Sequence, residues 1–75
     1  MKFNRITVNP DICTGKPCIR GLRFPVSRVL GLLASGETKE SILKAYPYLE
    51  AEDLREALAY AAWRTEEADV PLTNP

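Results

Sequence analysis

The sequence predicts a mainly α-helical domain, with three short helices preceded by a short extended N-terminal segment that forms at most a β-hairpin. Two observations support this prediction. Apolar residues alternate with polar ones only near the N-terminus, and after residue 26 they recur at spacings of three and four. Glycine and proline stand where these patterns end. From the length of 75 residues we expect one domain, divided into a basic arm (1–26), a trihelical bundle (27–67) and a tail (68–75).

The N-terminal segment is expected to be extended and rich in turns. Ile6 and Val8 alternate with polar neighbours, which predicts a short half-buried strand. Residues 14–17 form a predicted turn. Residues 18–24 form a second extended piece that is interrupted at Gly21, and pairing between the two pieces gives the short hairpin.

The first helix is predicted to begin at Ser27, whose hydroxyl is a candidate N-cap. Val29, Leu30 and Leu33 lie on one face of this helix and are expected in the core. Gly36 is placed to end the helix, because glycine readily adopts the left-handed conformation found at helix C-termini.

The second and third helices follow directly. The second is predicted over residues 39–46, with Thr38 as its N-cap. The third is predicted over residues 51–67, with acidic side chains in its first turn, where the helix dipole favours anions. The second helix is expected to contribute Ile42, Leu43 and Tyr46 to the core. The buried stripe of the third is expected to contain Leu54, Ala57, Leu58, Ala61 and Ala62.

Three short helices joined by tight turns are the plan of the helix-turn-helix group, in which one helix enters the major groove of DNA. The stretch from Leu33 to Ile42 combines a small-residue helix end, a glycine turn, a hydroxyl cap and an apolar anchor. Any compact three-helix domain needs similar turns. A DNA-binding domain and a module without nucleic-acid contact therefore both stay open.

The formal net charge is zero, but the charges are segregated along the chain. Residues 1–36 carry six basic side chains against Asp11 alone, a net charge of +5, whereas residues 37–75 carry four basic against nine acidic ones, a net charge of −5. Such a separation creates a surface field that selects partners. The basic end suits phosphate or an acidic protein, and the acidic end suits a basic partner.

Several motifs resemble the domain-of-unknown-function 433 family. They are ITVNP at 6–10, GKPCIRGLRFPV at 15–26, VLGLLASG at 29–36, ILKAYP at 42–47, DLR at 53–55 and ALAYA at 57–61. The resemblance covers about residues 5–62, and the block at 15–26 is its most specific part. The chain departs from the family at Leu22, where threonine is usual, so we expect a turn-stabilising hydroxyl to be missing there.

The resemblance implies a small homeodomain-like trihelical fold and the role of antitoxin in a bacterial type II toxin–antitoxin system, often beside a PIN-like ribonuclease toxin. We therefore expect a cytoplasmic, homodimeric antitoxin that binds and neutralises such a toxin. Binding to its own promoter DNA is a further expectation. The alternative is a small protein-interaction or dimerisation module without nucleic-acid contact.

The resemblance would make the third helix the DNA-reading element, but its acidic residues would be repelled by phosphates. Candidate DNA contacts are instead basic residues of the arm and the first two helices: Lys16, Arg20, Arg23, Arg28, Lys39 and Lys44. The alternative for the arginines is a solvated face that pairs with the chain's own acidic helix.

The third helix also carries a candidate interface for a partner protein or a second copy. Tyr60, Trp63 and Arg64 lie near one edge of it, and these residue types are enriched among interface hot spots. The alternative is that Tyr60 or Trp63 covers the domain's own small core.

We expect no catalytic site, no cofactor and no metal site. The chain has no histidine, and Cys13 and Cys18 are too few for a structural zinc site and lack the usual base. Both are expected to be packing thiols, because a disulfide is disfavoured in a reducing compartment. Lys16 is followed by Pro17, where a phosphate-binding loop needs serine or threonine. No apolar run approaches the roughly 20 residues of a membrane span, and no signal-peptide core is present, so the expected location is cytoplasmic.

Overall fold

The computed structural model describes residues 3–67, so the predicted tail at 68–75 lies outside the described residues. The chain forms strand β1 (Ile6–Val8), a 3₁₀ turn (Cys13–Gly15), strand β2 (Pro17–Ile19) and helices α1 (Val26–Ala34), α2 (Lys39–Ala45) and α3 (Ala51–Glu67). The predicted mainly helical fold with an N-terminal hairpin is confirmed. The third helix has the predicted bounds, and the second ends one residue earlier than predicted.

β1 and β2 form a two-stranded antiparallel sheet in which Ile6 lies opposite Ile19 and Val8 opposite Pro17. Ile6 is half-buried, but Val8 is 64% exposed, so the prediction of a half-buried side chain was wrong for Val8. Its pair with Pro17 is the last of the short hairpin, next to the loop that joins the strands.

A tight turn after β2 reverses the chain again. Arg20 and Gly21 both have positive φ angles, of 43° and 71°, and the Leu22 N–H donates to the Ile19 carbonyl at 2.7 Å, as in a type I′ turn. A hydroxyl stabilises this turn even though Leu22 has none, because the Gly21 N–H donates to Thr7 Oγ1 at 2.8 Å.

α1 begins directly after Pro25, whose extended backbone (φ −65°, ψ 147°) occupies the cap position. The prediction that Ser27 is the N-cap was therefore wrong, because the helix starts one residue earlier and Ser27 lies inside its first turn. The predicted end is confirmed. Gly36 has φ +100°, and it and the next residue donate to the carbonyls of Leu33 and Leu32, which is a Schellman motif.

α2 is capped by Thr38, as predicted. The Ser41 N–H donates to Thr38 Oγ1 at 3.1 Å, and the Thr38 N–H donates to Ser41 Oγ at 3.0 Å, which completes a capping box. This cap fixes the turn between α1 and α2 and directs Ile42 into the core, where it is fully buried.

The hydrophobic core lies between the hairpin and the three helices. Its buried members are Ile19, Phe24, Val26, Val29, Ile42, Leu49, Leu54 and Ala57. Leu30, Leu33, Leu43 and Tyr46 pack against them while half-buried.

The stripe predicted for α3 was wrong at two positions. Leu58 is 49% exposed and Ala62 is exposed, because the helix instead turns Asp53 inward beside Leu54 and Ala57. A buried acidic residue cannot be inferred from apolar spacing alone.

Candidate functional site

The basic arm and the acidic helix are joined by a buried carboxylate. Asp53 is completely buried on the first turn of α3. Arg20 contacts it with Nε at 3.0 Å from Oδ1 and Nη2 at 2.9 Å from Oδ2, and Arg5 Nη1 lies 2.9 Å from Oδ1. The Glu50 N–H donates to Asp53 Oδ2 at 2.8 Å, so the same carboxylate also caps α3.

These contacts keep Asp53 charged. Burial alone would raise the pKa of its carboxyl, but hydrogen bonds from Arg20, from the Glu50 amide and from Arg5 lower that pKa below its ordinary value. A buried charge with this many donors is satisfied only while all of its partners are in place. The cluster therefore locks the hairpin to α3.

The cluster includes Arg20, one of the candidate DNA contacts. Arg20 places two of its guanidinium nitrogens on Asp53, and its Nη2 donates as well to the Tyr48 carbonyl at 2.8 Å. Pairing with the chain's own acidic helix was the alternative for the arginines, and the structure has this arrangement at Arg20. Lys16, Arg23, Lys39 and Lys44 are exposed and form no ion pair within residues 3–67.

An open groove of about 390 Å³ lies between α1, α3 and the start of β2. Its lining includes Lys16 from the hairpin, Val26 and Leu30 from α1, and Tyr60, Ala61 and Arg64 from α3. The fold thus unites Lys16, a candidate DNA contact, with Tyr60 and Arg64, two candidates for a partner interface. Spacing along the sequence could not show this, because Lys16 and Arg64 come from opposite ends of the described chain.

Trp63 points to a different neighbour. The Phe3 ring lies 5.3 Å from Tyr60 and 5.7 Å from Trp63 between ring centroids, and the Arg64 guanidinium lies 5.9 Å from the Trp63 ring. Both aromatic rings of α3 are half-buried. Tyr60 also packs against the hydrophobic core, which was the alternative for Tyr60 or Trp63, and it reaches the groove, whereas Trp63 packs on Phe3.

A second surface was not anticipated from the sequence. The Arg28 guanidinium lies 5.0 Å from the Phe24 ring and 5.4 Å from the Tyr46 ring, and its Nη2 is 3.3 Å from the Tyr46 hydroxyl. Tyr48, 53% exposed, lies next to these rings. The signal in the sequence is the pair of tyrosines around Pro47, directly after a helix.

The two cysteines are free thiols. Burial raises the pKa of Cys18 to about 11, with a hydrogen bond from its thiol to Cys13 adding to the effect, so the Cys18 thiol stays protonated at neutral pH. Within residues 3–67, no three histidine, cysteine or acidic side chains are arranged to hold a metal ion. The helices of this described part are also too short or too polar to cross a membrane.

Comparison with known proteins establishes the family. Residues 6–61 match the family described as "Protein of unknown function (DUF433)". The chain belongs to the DUF433 family. This confirms the resemblance seen in the motifs. The matched region of this DUF433 chain contains Arg20, Asp53 and Tyr60, and it ends before Trp63 and Arg64.

Two relatives extend the comparison. "Uncharacterized protein y4eO" of Sinorhizobium fredii (strain NBRC 101917 / NGR234) is 45% identical over 56 residues, which are 75% of this chain and 25% of that protein. The chain thus spans about a quarter of the length of that relative. The crystal structure of a DUF433 member protein from Anabaena variabilis ATCC 29413 matches with a TM-score of 0.79 and 34% identity, over 85% of this chain and 63% of that one.

Proposed function

We propose that this DUF433 chain is an antitoxin-like regulator that binds and neutralises a PIN-like ribonuclease toxin of a bacterial type II toxin–antitoxin pair. The groove between α1 and α3 is the observation that carries the protein-binding part of this proposal. It combines apolar side chains of α1, Val26 and Leu30, with Tyr60 and Arg64 of α3. Tyrosine and arginine are among the residue types that dominate binding energy at protein interfaces. The role of antitoxin comes from the resemblance of the motifs.

Neutralisation is tested by co-expression with the product of the adjacent gene. We expect that product to arrest growth alone, the wild-type chain to restore growth, and the two proteins to co-purify. The Asp53→Ala variant is the matched negative control, because loss of the buried carboxylate is expected to unfold the chain. A neighbour that is harmless alone, or that this chain does not bind, would refute the proposal.

The regulator is further proposed to be a homodimer. A domain of this size has a small core, and a second copy adds buried surface. Sedimentation equilibrium should give about twice the monomer mass of 8.4 kDa. A mass of one chain at every concentration measured would exclude the dimer.

Promoter binding is a second candidate function, supported by exposed cations that form no ion pair within the described part of the chain. Arg23 follows the turn after β2, and Lys39 and Lys44 lie at the two ends of α2. Arg20 is left unchanged in the test because it is bonded to Asp53. The residues chosen for the DNA-binding test are therefore cations without an ion-pair partner in the described part of the chain, and not every basic residue of the arm and α2.

A gel shift on the upstream DNA at several salt concentrations measures this activity. Replacing Arg23, Lys39 and Lys44 by alanine should weaken binding and reduce the slope of log affinity against log salt by about 0.9 for each lost phosphate contact. Arg55→Ala is the control, since Arg55 is paired with Glu52 on α3. Absence of any shift at low salt would favour the alternative, a protein-interaction module without nucleic-acid contact.

A further inference from the structure

The lining of the groove between α1 and α3 has two parts of different chemistry. Its floor, as we call the apolar part of the lining, contains Val26 and Leu30, one helical turn apart on α1, and Ala61 on α3. Leu30 is half-buried and packs against the core, so it presents a preformed apolar surface, and Val26, only 4% exposed, supports it from below.

Among the residues that the structure describes, the charged side chains lining the groove have one sign. They are Lys16 and Arg64. Both cations are exposed and have no ion-pair partner within residues 3–67. The remaining polar side chains of the described lining carry hydroxyls, on Ser27, Tyr60 and Thr65. An apolar floor with two unpaired cations favours an occupant that is both apolar and anionic.

We propose that this groove binds a short acidic segment of a partner protein, with an aliphatic side chain on the floor and carboxylates beside Lys16 and Arg64. The floor excludes an occupant that offers charge alone, because covering the half-buried Leu30 and Ala61 stabilises a complex only against apolar atoms. The guanidinium of Arg64 can donate two parallel hydrogen bonds to one carboxylate. The proposal rests on the proposed function in one respect: the segment is assigned to the toxin that the chain neutralises.

The class of occupant is tested by selection from a phage-displayed library of random linear peptides against the immobilised full-length protein. We expect the selected peptides to combine acidic residues with at least one large aliphatic residue. Lys16→Glu/Arg64→Glu should instead select basic peptides. The control Lys39→Glu/Lys44→Glu has the same change in net charge on α2, outside the groove, and should select the same peptides as the wild type.

The affinity of the best peptide gives the quantitative test. Its fluorescence anisotropy titration should show binding to Lys16→Glu/Arg64→Glu weakened about tenfold or more, because two attractive contacts become repulsive. The control variant should bind as the wild type does. Circular dichroism of both variants verifies that they are folded, and two exposed side chains are changed in each case.

Three outcomes of the experiments with peptides would overturn the assignment. They are selection of the same peptides by the wild type and the Lys16→Glu/Arg64→Glu variant, failure to select any peptide, and amide NMR shifts on peptide addition that lie outside the groove. Concentration-dependent NMR shifts of groove residues without peptide would assign the groove to a second copy of the chain, and would also overturn it.

Failure of this inference can be told apart from failure of the proposed function. If wild type and Lys16→Glu/Arg64→Glu restore growth equally against the toxin, the toxin binds elsewhere and only the groove assignment fails. If the neighbouring gene encodes no toxin, the peptide selection still decides what the groove binds.

Discussion

At the scale of single residues, Asp53 has a structural role that its position in the sequence does not reveal. It lies among several acidic residues at the start of α3, and the sequence presents all of them as one negative patch. The structure separates them, because Asp53 is fully buried against Arg5 and Arg20 while Glu52 pairs with Arg55 at the surface. Two neighbouring carboxylates of equal charge are therefore expected to affect the free energy of unfolding by different amounts.

Replacing Asp53 tests this difference. Asp53→Asn keeps the shape but removes the charge that Arg20 and Arg5 contact, so we expect the free energy of unfolding to fall by about 3 kcal/mol. Urea denaturation followed by circular dichroism measures the change. Glu52→Gln is the control, and its midpoint should stay close to that of the wild type because its pair with Arg55 is exposed. Equal midpoints for the two variants would contradict the assigned role.

Individual cations likewise have separate environments. Arg20 is committed to Asp53, Arg28 is stacked on Phe24 and Tyr46, and Lys16 lines the groove. The sequence predicted all three as members of one basic surface. Composition cannot distinguish them, because it counts charge and not the neighbours that each charge meets.

At the scale of elements, local chemistry determined most of the helix boundaries. The capping box of Thr38 and Ser41 starts α2, and the left-handed Gly36 ends α1. Both could be predicted, because each depends on backbone groups within a few residues. The start of α1 could not be assigned to Ser27, since Pro25 already holds the extended conformation that precedes the first turn.

The Thr38 cap supports a quantitative prediction for α2. Thr38→Ala removes an acceptor for a helix N–H, so we expect a loss of about 1 kcal/mol, or a decrease in Tm of about 4–8 °C for a domain of this size. Differential scanning calorimetry measures it. Thr65→Ala is the control, because among residues 3–67 that hydroxyl donates to the Ala61 carbonyl, which is already within α3. A similar small shift in both variants would show that the cap adds little.

The orientation of α3 was beyond local prediction. Apolar spacing selected a stripe through Leu58 and Ala62, whereas the helix buries the face with Asp53, Leu54 and Ala57. The two faces differ by a small rotation of the helix. Asp53 pairs with Arg20, which is 33 residues away in sequence, and this ion pair favours the observed orientation of α3.

At the scale of the whole molecule, the structure brings together the two charged halves of the chain. The +5 and −5 segments are partly neutralised against each other where the arginines of the hairpin meet the start of α3. The fold therefore depends on the charge of a carboxylate that joins its two halves, and its stability should depend on pH.

The direction of that dependence follows from the lowered pKa of Asp53. A carboxyl whose folded-state pKa is below its unfolded value of about 3.8 contributes stability that is complete above that value and is lost as pH falls through the folded-state pKa. The difference in Tm between wild type and Asp53→Asn should therefore be constant near neutral pH and shrink below pH about 4. Thermal melts from neutral to acidic pH measure it, and a difference that persists at the acidic end would contradict the assignment.

The sequence by itself determined the number and order of the helices, the turns at Gly36 and Thr38, and the family, because these depend on residues close together in the chain. Only the tertiary structure decided which charges are paired, which face of α3 is buried, and that Lys16 and Arg64 line one groove. These features depend on contacts between residues far apart in sequence, which periodicity and composition do not record.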